Sequence, residues 1–261
     1  MTERAAASVP YVDLRAGRAL FLDVDGTLLE IAAAPDQVIV PPQLLDLLTS
    51  LVRQCGGALA LVSGRTIAQL DALFRPMIVP CSGLHGLERR DVQGVVHRPA
   101  INDERLGRAR SFLAALVQVN PGLLLENKHS TLAVHYRQAP QLESIARRMM
   151  AQALEILGND YCLLEGKMVL ELKPDGFSKS MAIAAFLREP PFEGRSPIFI
   201  GDDRTDEAGL AYVENLDGMA IHVGPPAAQS PARWRLPDVP SVIAWLESLV
   251  EQPPRAAGGK Q

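Results

Sequence analysis

Apolar runs alternate with amphipathic segments at both ends of this chain, a pattern typical of an α/β fold. Residues 19–23 and 58–62 are short runs with little polar alternation, as expected of strands that are buried on both faces. Between them, apolar residues recur at helical spacing from Leu44 to Val52, after a helix start at Pro41 and Pro42. Later in the chain the pattern predicts strands at 198–200 and 219–223 and helices at 179–188, after Thr205 and at 239–250. This order favours a parallel, Rossmann-like sheet with helices on both faces, which binds ligands beyond the carboxyl ends of its strands.

The middle of the chain follows a different pattern. Apolar and polar side chains alternate in residues 131–137 and 167–173, and helical stretches at 102–119 and 140–157 interleave with these strands. This indicates an antiparallel sheet with helices on one side and a polar second face. We therefore expect an inserted α+β domain at 83–174, an α/β core formed by 17–82 and 175–250, and flexible tails at 1–16 and 251–261.

Two aspartates follow the first predicted strand. Asp23 and Asp25 are two residues apart where Gly26 turns the backbone, so in an extended segment their side chains point the same way. Like charges this close require a stabilising partner, and Mg²⁺ together with substrate phosphate oxygens would provide one. A β-hairpin is the alternative, because Asp-Gly between apolar runs is also a strong turn signal.

Two further polar groups stand at a predicted strand end and a predicted helix start. Ser63, in Ser63-Gly64-Arg65, follows the second apolar run, where its hydroxyl and the nearby backbone N–H groups suit a phosphoryl oxygen; a helix cap is the alternative. Lys179 lies in the first turn of a predicted helix, where a cation opposes the helix dipole unless an anion is bound beside it. The alternative for Lys179 is a solvated surface lysine.

The segment 201–207 is strongly acidic and follows another predicted strand. Its acids are Asp202, Asp203, Asp206 and Glu207. Carboxylates are hard oxygen ligands that suit Mg²⁺, so this segment could complete a site that Asp23 begins. A solvated acidic turn with a helix cap is the alternative.

Composition narrows the function classes. Of 261 residues, 48% are hydrophobic and 21% are charged, as in an ordinary soluble globular protein, and the net charge is −4. This small charge argues against nucleic acid or an anionic membrane as a partner. No apolar run approaches the length of a membrane span and the N-terminus has no signal-peptide pattern, so we expect a cytoplasmic protein with reduced cysteines.

Taken in order, the motifs resemble those of a known superfamily. D-x-D-G-T at 23–27, S-G-R at 63–65, the lysine at 179 and G-D-D-x-T-D-E at 201–207 look like the haloacid dehalogenase-like phosphohydrolases. In the inserted segment, E-N-K at 126–128, H-Y-R-Q-A-P at 135–140 and G-K-M-V-L-E at 166–171 are similar to trehalose-6-phosphate phosphatases. The resemblance implies Mg²⁺-dependent hydrolysis of trehalose 6-phosphate to trehalose and phosphate through an aspartyl-phosphate, and a functional link to a separate trehalose-6-phosphate synthase.

The resemblance also implies roles for individual residues. Asp23 is the nucleophile and Asp25 the general acid and base, while Asp23, Asp202 and the backbone carbonyl of Asp25 hold Mg²⁺. Ser63 and Lys179 hold the phosphoryl oxygens, and Asp203 and Asp206 support the site. The expected substrate-binding residues are Gly64, Arg65, Glu126, Lys128, Arg137, Lys167 and Glu171.

Several alternatives remain at this stage. The charged residues of the inserted segment could form a salt-bridged, solvated sheet face. The same chemistry could serve a sucrose phosphate or a hexose phosphate, or an aspartyl-phosphate could return its phosphoryl group to a sugar, as in a phosphomutase. A catalytically silent module that binds sugar phosphates is a further alternative from another class.

Overall fold

The computed structural model describes residues 9–31, 38–99, 103–225 and 230–251. The first part of the chain contains β1 (Arg18–Leu22), α1 (Pro42–Gln54), β2 (Leu59–Val62), α2 (Ile67–Leu73), β3 (Cys81–Gly83), β4 (Glu88–Arg90) and β5 (Val96–His97). The middle contains α3 (Asp103–Gln118), β6 (Leu124–Asn127), β7 (Leu132–His135), α4 (Glu143–Leu157), β8 (Tyr161–Gly166) and β9 (Val169–Pro174). The last part contains α5 (Lys179–Phe186), β10 (Ser196–Gly201), α6 (Glu207–Asn215), β11 (Met219–Val223), β12 (Trp234–Leu236) and α7 (Val239–Glu251).

The strands form two sheets. The larger has eight strands in the order β12-β11-β10-β1-β2-β3-β4-β5, and its pairs from β12 to β3 are parallel. Strand β1 lies between β10 and β2, and its residues Ala19 to Leu22 are all fully buried. Because consecutive strand residues point to opposite faces, this burial shows that both faces of the sheet are covered. The predicted α/β core is confirmed.

The smaller sheet has the order β6-β7-β9-β8 and is antiparallel throughout. Helices α3 and α4 pack against each other and against this sheet. Its buried apolar residues, from Leu106 to Leu172, form a cluster separate from the one in the larger sheet. We call this unit, residues 103–174, the cap.

Two expectations about the boundaries differ from the structure. We placed residues 83–174 in the inserted domain, but β4 and β5 pair antiparallel with β3 and extend the larger sheet. We also expected a tail at 1–16, but Leu14 is only 1% exposed and Trp245 Nε1 donates a hydrogen bond to the Pro10 carbonyl. Residues 9–16 therefore pack on the core, while residues 1–8 and 252–261 lie outside the described part of the chain.

Within the described ranges, none of the helices has the length and apolar character needed to cross a lipid bilayer.

Candidate active site

Three parallel neighbours bring the predicted polar residues to one edge of the larger sheet. Asp23 follows β1, Ser63 follows β2 and Asp202 follows β10. The hairpin alternative for Asp25-Gly26 is wrong, because both neighbours of β1 are parallel to it. Gly26 has a φ of +85°, and a Cβ at this position would lie 2.2 Å from Asp202 Oδ2. Glycine therefore satisfies both the left-handed turn and the close approach of the Asp202 carboxylate.

Lys179 is buried at the first position of α5, behind the helix cap Ser178. Its Nζ lies 2.7 Å from Asp23 Oδ1 and 2.6 Å from Asp206 Oδ1, and its side chain is 2% exposed. The surface-lysine alternative is wrong. Burial opposes the charged form, but the Asp206 and Asp23 carboxylates outweigh it and raise the pKa of Lys179, so the ammonium stays charged. These two carboxylates are the neighbouring anions that offset the unfavourable interaction between a cation and the helix dipole at this position.

Three carboxylates converge beside this ammonium. Asp23, Asp202 and Asp206 each place one oxygen within 4.8 Å of the others. Burial, together with the charge of Asp23, raises the pKa of Asp202 to about 7, and burial also raises the pKa of Asp23. Asp202 Oδ1 is buried and has no hydrogen-bond partner among the residues that the structure describes. A hard divalent cation fits this set, because it would supply the missing partner and offset the repulsion between the carboxylates.

The acids of the segment 201–207 make different contacts. Asp206 Oδ1 accepts from Lys179, and Asp206 Oδ2 accepts from the backbone N–H groups of Asp202 and Asp203. Asp203 caps the short 3₁₀ turn that follows by accepting from the Arg204 N–H. Asp206 belongs to the carboxylate cluster, and its two oxygens hold Lys179 and the loop, which fits the supporting role expected for it.

The Asp25 carboxylate lies away from this cluster and faces Arg65. Arg65 donates through Nε at 2.7 Å to Oδ2 and through Nη2 at 2.6 Å to Oδ1, a bidentate pair that fixes the plane of the carboxylate. Ser63 is not the cap of α2, because the Thr66 hydroxyl accepts from the Gln69 N–H there. The Ser63 hydroxyl instead accepts from the Arg65 N–H at 3.2 Å, at the strand end where we expected it.

The cap contributes a second group of buried charges. Lys128 Nζ lies 3.1 Å from Glu171 Oε2 and 3.1 Å from the Gly64 carbonyl of the core, and the Thr131 hydroxyl donates to Glu171 Oε1 at 2.7 Å. Glu126 Oε2 lies 2.9 Å from His135 Nε2. Burial opposes ionisation of Glu126, but the hydrogen bond from His135 and the charge of Lys128 lower its pKa to about 2. The solvated-face alternative is wrong for Lys128 and Glu171, whose side chains are almost fully buried.

Lys167 reaches the core from the tip of a hairpin. We expected one strand over 167–173, but Lys167 and Met168 form the turn between β8 and β9, with a φ of +62° at Met168. The Lys167 ammonium forms an ion pair with the Asp202 carboxylate. Arg137 Nη2 donates to the Lys167 carbonyl at 3.0 Å, which holds this turn over the acidic loop.

A cavity of about 160 Å³ joins the two groups of residues. Every predicted site residue lines it except Asp206, which lies behind Lys179. Gln69, His85 and His135 also line it. None of these three residues is among the predicted site residues. The sequence contains a signal for Gln69, since Thr66 and Gln69 have the spacing of a helix capping box.

A carboxylate cluster at the carboxyl edge of a parallel sheet, covered by an inserted α+β unit, defines the class. The chain has the fold of a haloacid dehalogenase-like phosphohydrolase. The sequence profile described as trehalose-phosphatase matches residues 21–239. The chain therefore belongs to the trehalose-phosphatase family, which confirms the resemblance seen in the motifs.

Individual relatives agree with this assignment. The chain is 46% identical over 237 residues to trehalose-6-phosphate phosphatase of Escherichia coli, covering 91% of this chain and 88% of that protein. It is 45% identical to a probable trehalose-phosphate phosphatase of Sinorhizobium fredii, covering 88% of this chain and 87% of the relative. The solved C-terminal domain of C. albicans trehalose-6-phosphate phosphatase superposes with a TM-score of 0.81 at 21% identity, covering 89% of this chain and 92% of that domain, and it supports the fold.

Proposed function

We propose that this chain hydrolyses trehalose 6-phosphate to trehalose and inorganic phosphate. The observation that carries the proposal is the shared cavity, in which the carboxylate cluster of the core faces the buried charges of the cap. A phosphoryl group fits beside Lys179 and Ser63, and the hydroxyls of a disaccharide suit Glu126, Lys128 and Glu171, which offer charged hydrogen-bond partners.

The reaction proceeds in two steps. An oxygen of Asp23 attacks phosphorus, the bond from phosphorus to the sugar oxygen breaks, and Asp25 gives that oxygen a proton. Asp25 then takes a proton from water, which attacks the aspartyl-phosphate, releases phosphate and regenerates Asp23. Lys179 and Ser63 orient the phosphoryl oxygens, and Arg65 sets the plane of the Asp25 carboxylate.

The donor set favours Mg²⁺ as the cofactor. Asp23, Asp202 and the Asp25 carbonyl are its proposed ligands, and Asp202 Oδ1 is a buried oxygen with no partner in the described ranges of the chain. When bound, Mg²⁺ would reduce the repulsion between the anionic nucleophile and the anionic phosphate. A trehalose-6-phosphate synthase, acting as a separate protein in the cytoplasm, is the proposed source of substrate.

A comparison of two substrates tests the proposal. In Glu171→Gln the cap loses a charged hydrogen-bond acceptor that does not contact the phosphorus. A hydrogen bond to a charged partner is worth roughly 1.5–3 kcal/mol, so kcat/KM for trehalose 6-phosphate should fall about 10- to 200-fold. Activity on an aryl phosphate, which needs only the core, should change much less. Glu155→Gln, at an exposed position on α4, is the control and should leave both activities unchanged.

The same assay separates the alternatives. A panel of sugar phosphates on the unmodified protein should give its highest kcat/KM with trehalose 6-phosphate. A preference for sucrose phosphate or a hexose phosphate would overturn the substrate assignment. Equal losses on the sugar and aryl substrates in Glu171→Gln would mean that Glu171 supports the core or the fold.

A further inference from the structure

Gln69 has a side-chain orientation that the start of α2 determines. Its backbone N–H donates to the Thr66 hydroxyl at 3.1 Å, and its side-chain Oε1 accepts from the Thr66 N–H at 2.8 Å. This reciprocal pair is a capping box, which satisfies two N–H groups at the start of a helix. Because the amide oxygen is held by the helix start, the amide NH₂ group must point away from it.

That NH₂ group faces the cap. Gln69 Nε2 donates to Glu126 Oε1 at 3.0 Å, across the cleft between the core and β6. The second oxygen of Glu126 is held by His135 at 2.9 Å. One core residue and one cap residue therefore fix the two oxygens of this carboxylate, and all three residues line the cavity.

We propose that Gln69 is a positioning residue for substrate recognition, which aligns Glu126 over the cavity when the cap meets the core. The inference rests on the proposed function, since it assumes that Glu126 binds a hydroxyl of the sugar. Gln69 acts through Glu126 and not on the reacting atoms. Its contribution should therefore appear with sugar phosphates and be small with an aryl phosphate.

The substitution Gln69→Glu separates this role from the helix cap. Glutamate keeps an acceptor for the Thr66 N–H, because a capping box accepts either residue, but it places a carboxylate against Glu126. The loss of one hydrogen bond to a charged group should lower kcat/KM for the preferred sugar phosphate by about 10-fold or more. Hydrolysis of an aryl phosphate should change little, whereas the thermal midpoint should fall, because two carboxylates then face each other across the cleft.

A double-mutant cycle with Glu126→Gln provides the decisive measurement. In the Glu126→Gln background, the new amide at position 126 can donate to the carboxylate introduced at position 69 and remake the contact with the two roles exchanged. Gln69→Glu should then cause much less loss than it does in the unmodified background, which is the signature of direct coupling between the two positions.

The outcomes distinguish this inference from the proposed function. An equal loss from Gln69→Glu in both backgrounds, or an equal loss on sugar and aryl substrates, would overturn the positioning role. The cycle is measured with whichever sugar phosphate the unmodified protein prefers. A preference for a sugar other than trehalose would overturn the proposed substrate and still leave the coupling testable.

Discussion

Replacing Asp202 by asparagine should make the protein more stable when divalent cations are removed by a chelator. Asp202 is 5% exposed, lies in a cluster with Asp23 and Asp206, and has an oxygen to which no described residue donates a hydrogen bond. Burial and the charge of Asp23 raise the pKa of Asp202 from an ordinary value of 3.8 to about 7. The folded protein therefore holds this proton up to a higher pH than the unfolded chain does. As a result, the carboxylate destabilises the fold progressively as the pH rises from 3.8 to about 7.

The size of the effect follows from this difference in pKa. Raising the pKa from 3.8 to about 7 corresponds to about 4 kcal/mol against the charged form in the fold. The favourable ion pair with Lys167, which lowers the pKa of Asp202, is already contained in this difference. The net gain in the free energy of unfolding for Asp202→Asn should therefore be about 4 kcal/mol above neutral pH and should approach zero near pH 4.

Urea unfolding in chelator, followed by tryptophan fluorescence at about pH 7.5 and about pH 4.5, measures this gain. Taking the difference between variants cancels titrating groups that do not interact with Asp202, such as the buried His85, whose pKa is lowered by burial. Asp46→Asn, at an exposed position on α1, is the matched control. The reasoning fails if Asp202→Asn is no more stable than the unmodified protein at the higher pH, or if the gain does not shrink at the lower pH. Added Mg²⁺ should stabilise the unmodified protein and have much less effect on Asp202→Asn.

Three further predictions concern the roles of single residues. Asp23→Asn should lower turnover by several orders of magnitude while the protein stays folded, and substantial residual activity would show that Asp23 is not the nucleophile. Asp25→Asn should slow hydrolysis of the sugar phosphate by about 10²- to 10⁴-fold. With an aryl phosphate, whose leaving group is good, the first step should be slowed less than the second. Aspartyl-phosphate should then accumulate, and acid-quench trapping would reveal it. Lys167→Ala should tighten Mg²⁺ binding, measured by calorimetry, by up to about fivefold, because the ammonium that pairs with Asp202 is removed. Weaker binding would show that Lys167 supports the site instead of competing for it.

The fold was predictable where burial dictates the residue pattern. Strand β1 is buried on both faces and contains apolar residues at successive positions, so its place inside a parallel sheet could be deduced. Strands β4 and β5 could not be placed in the same way. They are three and two residues long, contain Glu88 and Arg90, and sit at the antiparallel edge of the sheet. A short polar strand at an edge has the same pattern as a strand of an inserted domain.

The hairpin at Lys167 shows a second limit of the residue pattern. The apolar positions 168, 170 and 172 continue the alternation of a strand, although Met168 lies in the turn with a positive φ. The alternation placed Leu170 and Leu172 correctly in the buried face. It could not reveal that the ammonium of Lys167 leaves the sheet and meets Asp202 of the core, because a turn that brings distant residues together has no counterpart in local spacing.

The acids of the segment 201–207 show how much of the candidate site depends on tertiary contacts. The motif placed Asp202, Asp203 and Asp206 at a strand end beside Asp23, because parallel strands end on the same edge of a sheet. The spacing alone gave no means of telling the three apart, and only the family resemblance assigned the metal to Asp202. Asp203 Oδ1 holds the 3₁₀ turn, and the two oxygens of Asp206 hold Lys179 and two backbone N–H groups. Asp202 keeps a buried oxygen without a partner, and its destabilising charge is what a bound cation would relieve. The stability of the fold and the affinity of the site for a cation are therefore two consequences of the same buried carboxylate.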